Sequence, residues 1–134
     1  MTQTLDELLA EARRHLDRVA PERLAAELAS GALVVDIRPL EQRERDGPLP
    51  GAVVVDRNVL EWRLAPSSAW RIDEATGDLH QRVVLVCNEG FSSSLAARTL
   101  QLLGLANATD VTGGFQAWWA WQERHARGDA TAPS

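Results

Sequence analysis

The chain has 134 residues, a formal net charge of −5, and 45% hydrophobic against 25% charged residues, which describes one ordinary domain with enough apolar side chains for a core and excludes a disordered tail. An acidic chain without a basic run is poorly suited to general nucleic-acid or anionic-membrane binding. All fourteen cationic residues are Arg, which excludes Schiff-base chemistry and a Walker-type lysine, and one Cys with three scattered His excludes a disulfide framework and leaves no zinc ligand set with the usual spacing.

The N-terminus, Met1 to Glu7, is acidic and lacks a signal-peptide profile. No apolar run approaches the ~18 residues of a membrane span. The expected compartment is therefore the cytoplasm, with no metal and no cofactor. Leu5, Leu8, Leu9, Ala12, Leu16 and Val19 follow helical spacing, whereas Glu7, Glu11, Arg13 and Arg14 fall off that stripe. The spacing predicts an amphipathic helix over about 4–16, lying on the domain or on a partner subunit, with a short strand around 17–19. Pro21 suits a first helical position and begins a helix that runs to Ala29 and stops at Ser30-Gly31.

Ala32 to Ile37 is apolar and β-branched and predicts a buried strand. Arg38 to Pro50 is charged and rich in Pro and Gly, with room for one helical turn around 40–45. A second strand is expected over Ala52 to Val55, and a short helix over Asn58 to Leu64. Ala65 to Gln81 reads as a long connection. Val83-Val84-Leu85-Val86-Cys87 is the clearest strand. After a short loop a helix runs from about Ser92 to Leu103 and ends at Gly104. Thr109 to Val111 is a short strand, Gly113-Gly114 a turn, and Phe115 to about His125 the last helix. The organisation is an N-terminal helical extension (1–16), a domain (17–127) and a loose tail (128–134). Short apolar strands alternating with helices, with no hairpin signal, predict a doubly wound, mainly parallel α/β sheet. In such sheets sites form at the carboxyl ends of strands, where Cys87 stands.

A lone Cys at a strand end is commonly a small packing hydrophobe. Here the thiol is followed by a tight turn containing Gly90, which tolerates positive φ, and by Ser92, Ser93 and Ser94, which cap helices and present hydroxyls. Backbone N–H groups curling around the sulfur at a helix N-terminus form an anion cradle that stabilises a thiolate or a persulfide. That context favours a working thiol. His80 stands at the opposite end of the strand, which argues against a Cys-His hydrolase pair.

Three stretches in order then resemble the rhodanese-like family, over about residues 17–125. Cys87-Asn88-Glu89-Gly90-Phe91-Ser92, followed by Ser93, is similar to the family's six-residue active loop with its Cys-x-x-Gly framework. Val34-Val35-Asp36-Ile37-Arg38 with Gly47-Pro48-Leu49-Pro50-Gly51-Ala52 is similar to its N-terminal signature, with Pro48 in place of the usual His. Gly113-Gly114-Phe115-Gln116-Ala117-Trp118 is similar to its C-terminal signature. The resemblance implies a five-stranded parallel sheet with helices on both faces and transfer of a sulfane sulfur. In that reading Cys87 is the nucleophile. Asn88, Glu89, Gly90, Phe91, Ser92 and Ser93 form the persulfide cradle. The donor is thiosulfate, another small sulfur-containing anion or a persulfide, the acceptor a thiol or cyanide, and a protein can stand on either side. Many thiosulfate-using members carry Arg or Lys in the loop. This loop has Asn88 and Glu89 instead, so Arg38, Arg43, Arg57 and Arg63 are the candidate sources of compensating charge, with Asp36 as a candidate loop-orienting partner of Arg38. A strand-to-loop ion pair is the plainer reading of Asp36 and Arg38. Two other functions compete. A cysteine phosphatase needs a phosphate-binding Arg, which positions 88–94 lack. A non-catalytic binding module of the same fold, or a protein-partnered sulfur carrier, is favoured by Glu89 and the missing loop cation, and the intact loop Cys argues against the non-catalytic form.

Overall fold

The computed structural model describes residues 1–131. In chain order it contains α1 (Leu5–Arg14), a 3-10 turn (Pro21–Arg23), α2 (Leu24–Ala29), β1 (Leu33–Asp36), α3 (Leu40–Asp46), β2 (Val53–Val54), α4 (Leu60–Leu64), β3 (Val83–Val86), α5 (Ser92–Leu102), β4 (Ala108–Asp110) and α6 (Gly114–Thr131). The strands form one sheet in the order β2-β1-β3-β4, with every neighbouring pair parallel. The doubly wound α/β class follows from that order. Among the described residues no helix is long and apolar enough to cross a membrane.

The unbroken apolar runs in β1 and β3 arise because both faces of a parallel sheet are covered. Successive strand side chains alternate between faces. Leu33, Val35, Ile37, Val83, Leu85 and Cys87 share one core with Leu60, Leu64, Ala96, Ala97 and Leu100 of α4 and α5. Val34, Val84 and Val86 share the other with Leu24, Val111 and Phe115. Val35, Val84, Leu85 and Val86 are fully inaccessible, and each buried aliphatic of this size contributes about 1.5–3 kcal/mol of transfer free energy.

The sheet differs from the expected five strands. Residues 17–19 supply a single parallel bridge, Val19 to Val111, at the outer edge of β4, because Pro21 opens a 3-10 turn two residues later and has no N–H to extend a ladder. The last helix also differs. It continues past His125 to Thr131, so the expected loose tail over 128–134 is helical for its first four residues, and 132–134 lie outside the described residues. Gly128 costs a helix interior about 1 kcal/mol, too little to stop a helix flanked by Ala126 and Ala130.

α1 is capped at Thr4, whose side chain accepts from Glu7 N–H while Glu7 reaches back to the Thr4 N–H, a capping box. Leu9 and Ala12 of its stripe are buried, and α1 packs along α5. Leu5 and Leu8 remain exposed.

β1 and β3 end side by side, with Ile37 N–H donating to Val86 O at 2.9 Å. The first residues of α6 close over the same edge. Phe115 N–H donates to Cys87 O at 2.8 Å and Gln116 N–H to Asn88 O at 3.0 Å. This approach requires glycine. Gly114 has φ +62°, and a Cβ there would stand 2.5 Å from Cys87 O and 2.7 Å from Gly90 N. Gly114→Ala is therefore expected to destabilise the fold by about 2 kcal/mol or more, read as a lowered thermal midpoint, whereas Gly31→Ala, whose added methyl group meets nothing within 4 Å, should cost no more than the strain of its positive φ.

Candidate active site

β3 delivers Cys87 to the carboxyl edge of the sheet, and the chain turns at once into α5. Gly90 sits at φ +85°, where an added Cβ would meet Gly113 N at 2.7 Å, so the turn needs glycine both for its backbone angle and for the space. The turn folds N–H groups back onto the sulfur. Gly90 N–H donates to Cys87 Sγ at 3.1 Å and Ser93 N–H at 3.4 Å, the latter from the first turn of α5, where helix N–H groups are unpaired and favour negative charge.

The thiol lies 3.1 Å from Ser93 Oγ. Ser93 Oγ in turn donates to Asp110 Oδ2 at 2.8 Å. Burial pushes the Cys87 thiol up, but hydrogen bonds from the Ser93 hydroxyl and N–H, the Ser92 hydroxyl and Gly90 N–H outweigh it and hold the thiol below its ordinary value. Ser93 has one hydroxyl proton, so turning it toward a thiolate releases Asp110. That carboxylate retains Ser94 Oγ at 2.7 Å and Arg18, which donates through Nε to Oδ1 at 2.9 Å and through Nη2 to Oδ2 at 3.2 Å.

Cys87 is only 6% exposed, and what shows borders a cleft of about 320 Å³. Asn88, Glu89, Phe91 and Ser92 line it from the loop, and Ile37, Arg38, Pro39 and Gln42 from the end of β1 and the start of α3. Gly90 and Ser93 are buried beneath. Glu89 is exposed at the mouth, with Asn88 Nδ2 at 3.4 Å. Asn88 Oδ1 accepts from Gln116 Nε2 at 3.0 Å, which fixes its side chain to α6.

The four sequence-predicted arginines fall in different places. Arg38 borders the cleft, but its side chain has no solvent exposure. It grips Asp36 through Nε and Nη2 at 3.0 and 2.8 Å, donates to Gly47 O at 2.9 Å and stacks 3.7 Å from the Phe115 ring centroid. It is a strut joining β1, the α3–β2 loop and α6. Arg43 donates to Arg38 O, Arg57 pairs with Glu61, and Arg63 donates to Trp70 O. None of these three lines the cleft.

The cations that do reach the loop are Arg13 and Arg18, which sequence reasoning left out. Arg13 Nη2 and Arg18 Nη2 donate to Gly90 O at 2.7 and 3.0 Å, and Arg13 Nε donates to Ser94 Oγ at 3.1 Å. Arg18 and Asp110 are 92 positions apart, and no local pattern announces that pair. The one available signal was Arg13 beside Ala12 at the border of the apolar stripe.

The comparisons with known proteins agree with this architecture. A family model for the rhodanese-like domain matches residues 20–120. The thiosulfate sulfurtransferase GlpE of Pseudomonas entomophila is 37% identical over 101 residues, covering 75% of this chain and 83% of that protein. Among solved structures, a Rhodopseudomonas palustris protein of unknown function, described as a possible tyrosine phosphatase, superposes with a TM-score of 0.80 at 31% identity, covering 91% of this chain and 93% of that one. The human single-domain sulfurtransferase TSTD1 superposes with a TM-score of 0.63 at 26% identity, covering 77% and 95%. On the family match and the sequence relatives together, this chain belongs to the rhodanese-like domain family.

Proposed function

We propose that the protein is a sulfurtransferase that carries a sulfane sulfur on Cys87. The observation that carries this reading is the placement of Cys87 Sγ, which accepts N–H groups from Gly90 and Ser93 at the floor of an open cleft. The relatives named as thiosulfate sulfurtransferases support the reaction class. In the first step the Cys87 thiolate attacks the outer sulfur of the donor. The donor's S–S bond breaks, and its electron pair leaves with the remainder, as sulfite when the donor is thiosulfate. Cys87 then bears a persulfide, whose terminal anion is held by the loop and the α5 N-terminus. In the second step an acceptor nucleophile attacks that terminal sulfur. The Cys87 thiolate is restored, and cyanide yields thiocyanate while a thiol yields a new persulfide. This is covalent catalysis in two displacements. With one Cys in the chain, the acceptor comes from outside, as a small nucleophile or another protein.

A phosphatase reading is disfavoured by the same geometry. Phosphoryl transfer needs positioned cations facing the anion, and the guanidinium groups nearest this loop are turned onto Gly90 O and Asp110. Arg38, at the cleft wall, is paired with Asp36 through Nε and Nη2 and is inaccessible, although its Nη1 has no hydrogen-bond partner among the described residues.

Incubation with thiosulfate or a persulfide donor followed by intact mass measurement should show the gain of one sulfur atom on the wild type and none on Cys87→Ser. No adduct from any donor, with no thiocyanate formed from cyanide, would overturn the reading. Because the Cys87 thiol is held below its ordinary value, its thiolate persists to lower pH than that of a free thiol. The rate of alkylation by iodoacetamide should accordingly reach half its plateau at a lower pH than for cysteine in solution, and a coincident profile would show that the cradle does not act on the sulfur. Glu89 places a negative charge at the mouth, so Glu89→Gln should lower KM for thiosulfate by about threefold with kcat little changed, the size expected of an exposed like charge in high dielectric. An unchanged KM would place the carboxylate clear of the anion's path.

A further inference from the structure

The charged groups around Cys87 almost cancel in pairs. Asp110 behind the loop is matched by Arg18, and Asp36 at the edge of β1 by Arg38. Two remain. Glu89 stands at the cleft mouth. Arg13 stands behind the loop, with no carboxylate within ion-pair distance among the described residues. Its guanidinium donates to neutral oxygens of the loop and of α5, Gly90 O and Ser94 Oγ. Its guanidinium carbon lies 5.7 Å from the centroid of the Phe91 ring. Arg13 sits on α1, and the family match begins only at residue 20. The helix that looks like an appendage therefore ends inside the site.

We propose that Arg13, carried by the N-terminal helix, is a positioning residue for the Cys87 loop and supplies the positive charge that the loop itself lacks. The inference deepens the sulfur-transfer reading and rests on it for its catalytic meaning, although its effect on the thiol is separate. Two physical routes lead from Arg13 to the sulfur. The first is geometric. Gly90 O is gripped by two guanidinium groups, and the planar trans peptide it belongs to must direct the Phe91 N–H away from them. The same grip fixes Gly90, whose own N–H donates to Sγ at 3.1 Å. The second route is electrostatic. An unmatched positive charge behind a buried thiolate stabilises the anion, and the attraction is reciprocal: burial and the repulsion of Arg18 hold the Arg13 guanidinium below its ordinary value, and Asp110 and Cys87 act against that. Arg13 keeps its place because Leu9 and Ala12 on the same helix are buried and Gln101 Nε2 of α5 donates to His15 O at 2.9 Å just beyond the helix end.

The test measures the pH profile of Cys87 alkylation by iodoacetamide in the wild type, Arg13→Gln, Arg13→Lys and Arg14→Gln, with thermal midpoints to confirm folding. Cys87 is the one thiol in the chain, so the signal has a single source. Arg13→Gln should move the profile to higher pH and slow alkylation at neutral pH by about three- to tenfold, as loss of a nearby cation requires. Arg13→Lys, which keeps the charge without the fork, should return most of that loss. Arg14→Gln, on the exposed side of α1, should match the wild type. If glutamine is not tolerated at position 13, Arg13→Met preserves the packing of the stem and carries the same comparison. A folded Arg13→Gln or Arg13→Met protein with the wild-type profile would overturn the proposal. A shifted profile in a protein that forms no persulfide from any donor would leave Arg13 its role in setting the thiol and remove the sulfur-transfer reading instead.

Discussion

The buried carboxylate of Asp110 is the fixed point of the sheet's carboxyl edge. It has no solvent exposure, and an ionised carboxylate there requires a full set of donors. Ser93, Ser94 and Arg18 supply them. Each donor is also tied to the thiol loop. Ser93 touches the sulfur, Ser94 receives Arg13, and Arg18 reaches Gly90 O. Satisfying one buried charge thus fixes the position of α5's first turn, the conformation of the loop and the docking of the N-terminal segment. The bonds from Ser94 and Arg18 hold the carboxylate when the Ser93 hydroxyl turns to the sulfur, so the network couples the thiol to a carboxylate that stays paired.

A second network of similar logic stands on the cleft's other wall. Arg38 is among the largest fully buried side chains, and Asp36, Gly47 O and the Phe115 face replace most of its hydration, leaving Nη1 without a hydrogen-bond partner among the described residues. The two networks flank Cys87 without presenting a free cation to the cleft. The loop therefore holds an anion chiefly by backbone N–H groups and helix ends. Such a cradle suits a single negative charge on a terminal sulfur better than a dianion, whose second charge meets Glu89 rather than an arginine.

Glycine provides the third constraint. The Gly113–Gly114 turn lies so close to the loop that any side chain at Gly114 would occupy the space of Cys87 O. Closing that gap lets the first N–H groups of α6 satisfy the carbonyls of Cys87 and Asn88. With the Cys87, Asn88 and Gly90 carbonyls paired outward, the Gly90 and Ser93 N–H groups face the sulfur. The tight turn and the anion cradle are thus two sides of one backbone arrangement.

The apolar strands, their alternation with helices and the position of Cys87 at a strand end were legible in the sequence, because each depends on residues adjacent in the chain. The strand–Cys–Gly–Ser order is a local pattern, and parallel strands with both faces covered announce themselves as unbroken runs of Val and Leu. The capping box and apolar stripe of α1 were local in the same way. Other features depended on distant partners. The fifth strand shrinks to one bridge at Val19 because Pro21 stops the ladder just where Val111 arrives to pair. The placement of Arg43, Arg57 and Arg63 away from the cleft, and of Arg13 and Arg18 against the loop, follows from which elements the tertiary fold brings to one edge of the sheet. Composition alone showed that fourteen arginines face nineteen acids. Only folding decided which of them are matched, because a charge pair across 92 residues leaves no periodic or local trace, and its partner is selected by the desolvation of a carboxylate that the sequence does not mark as buried.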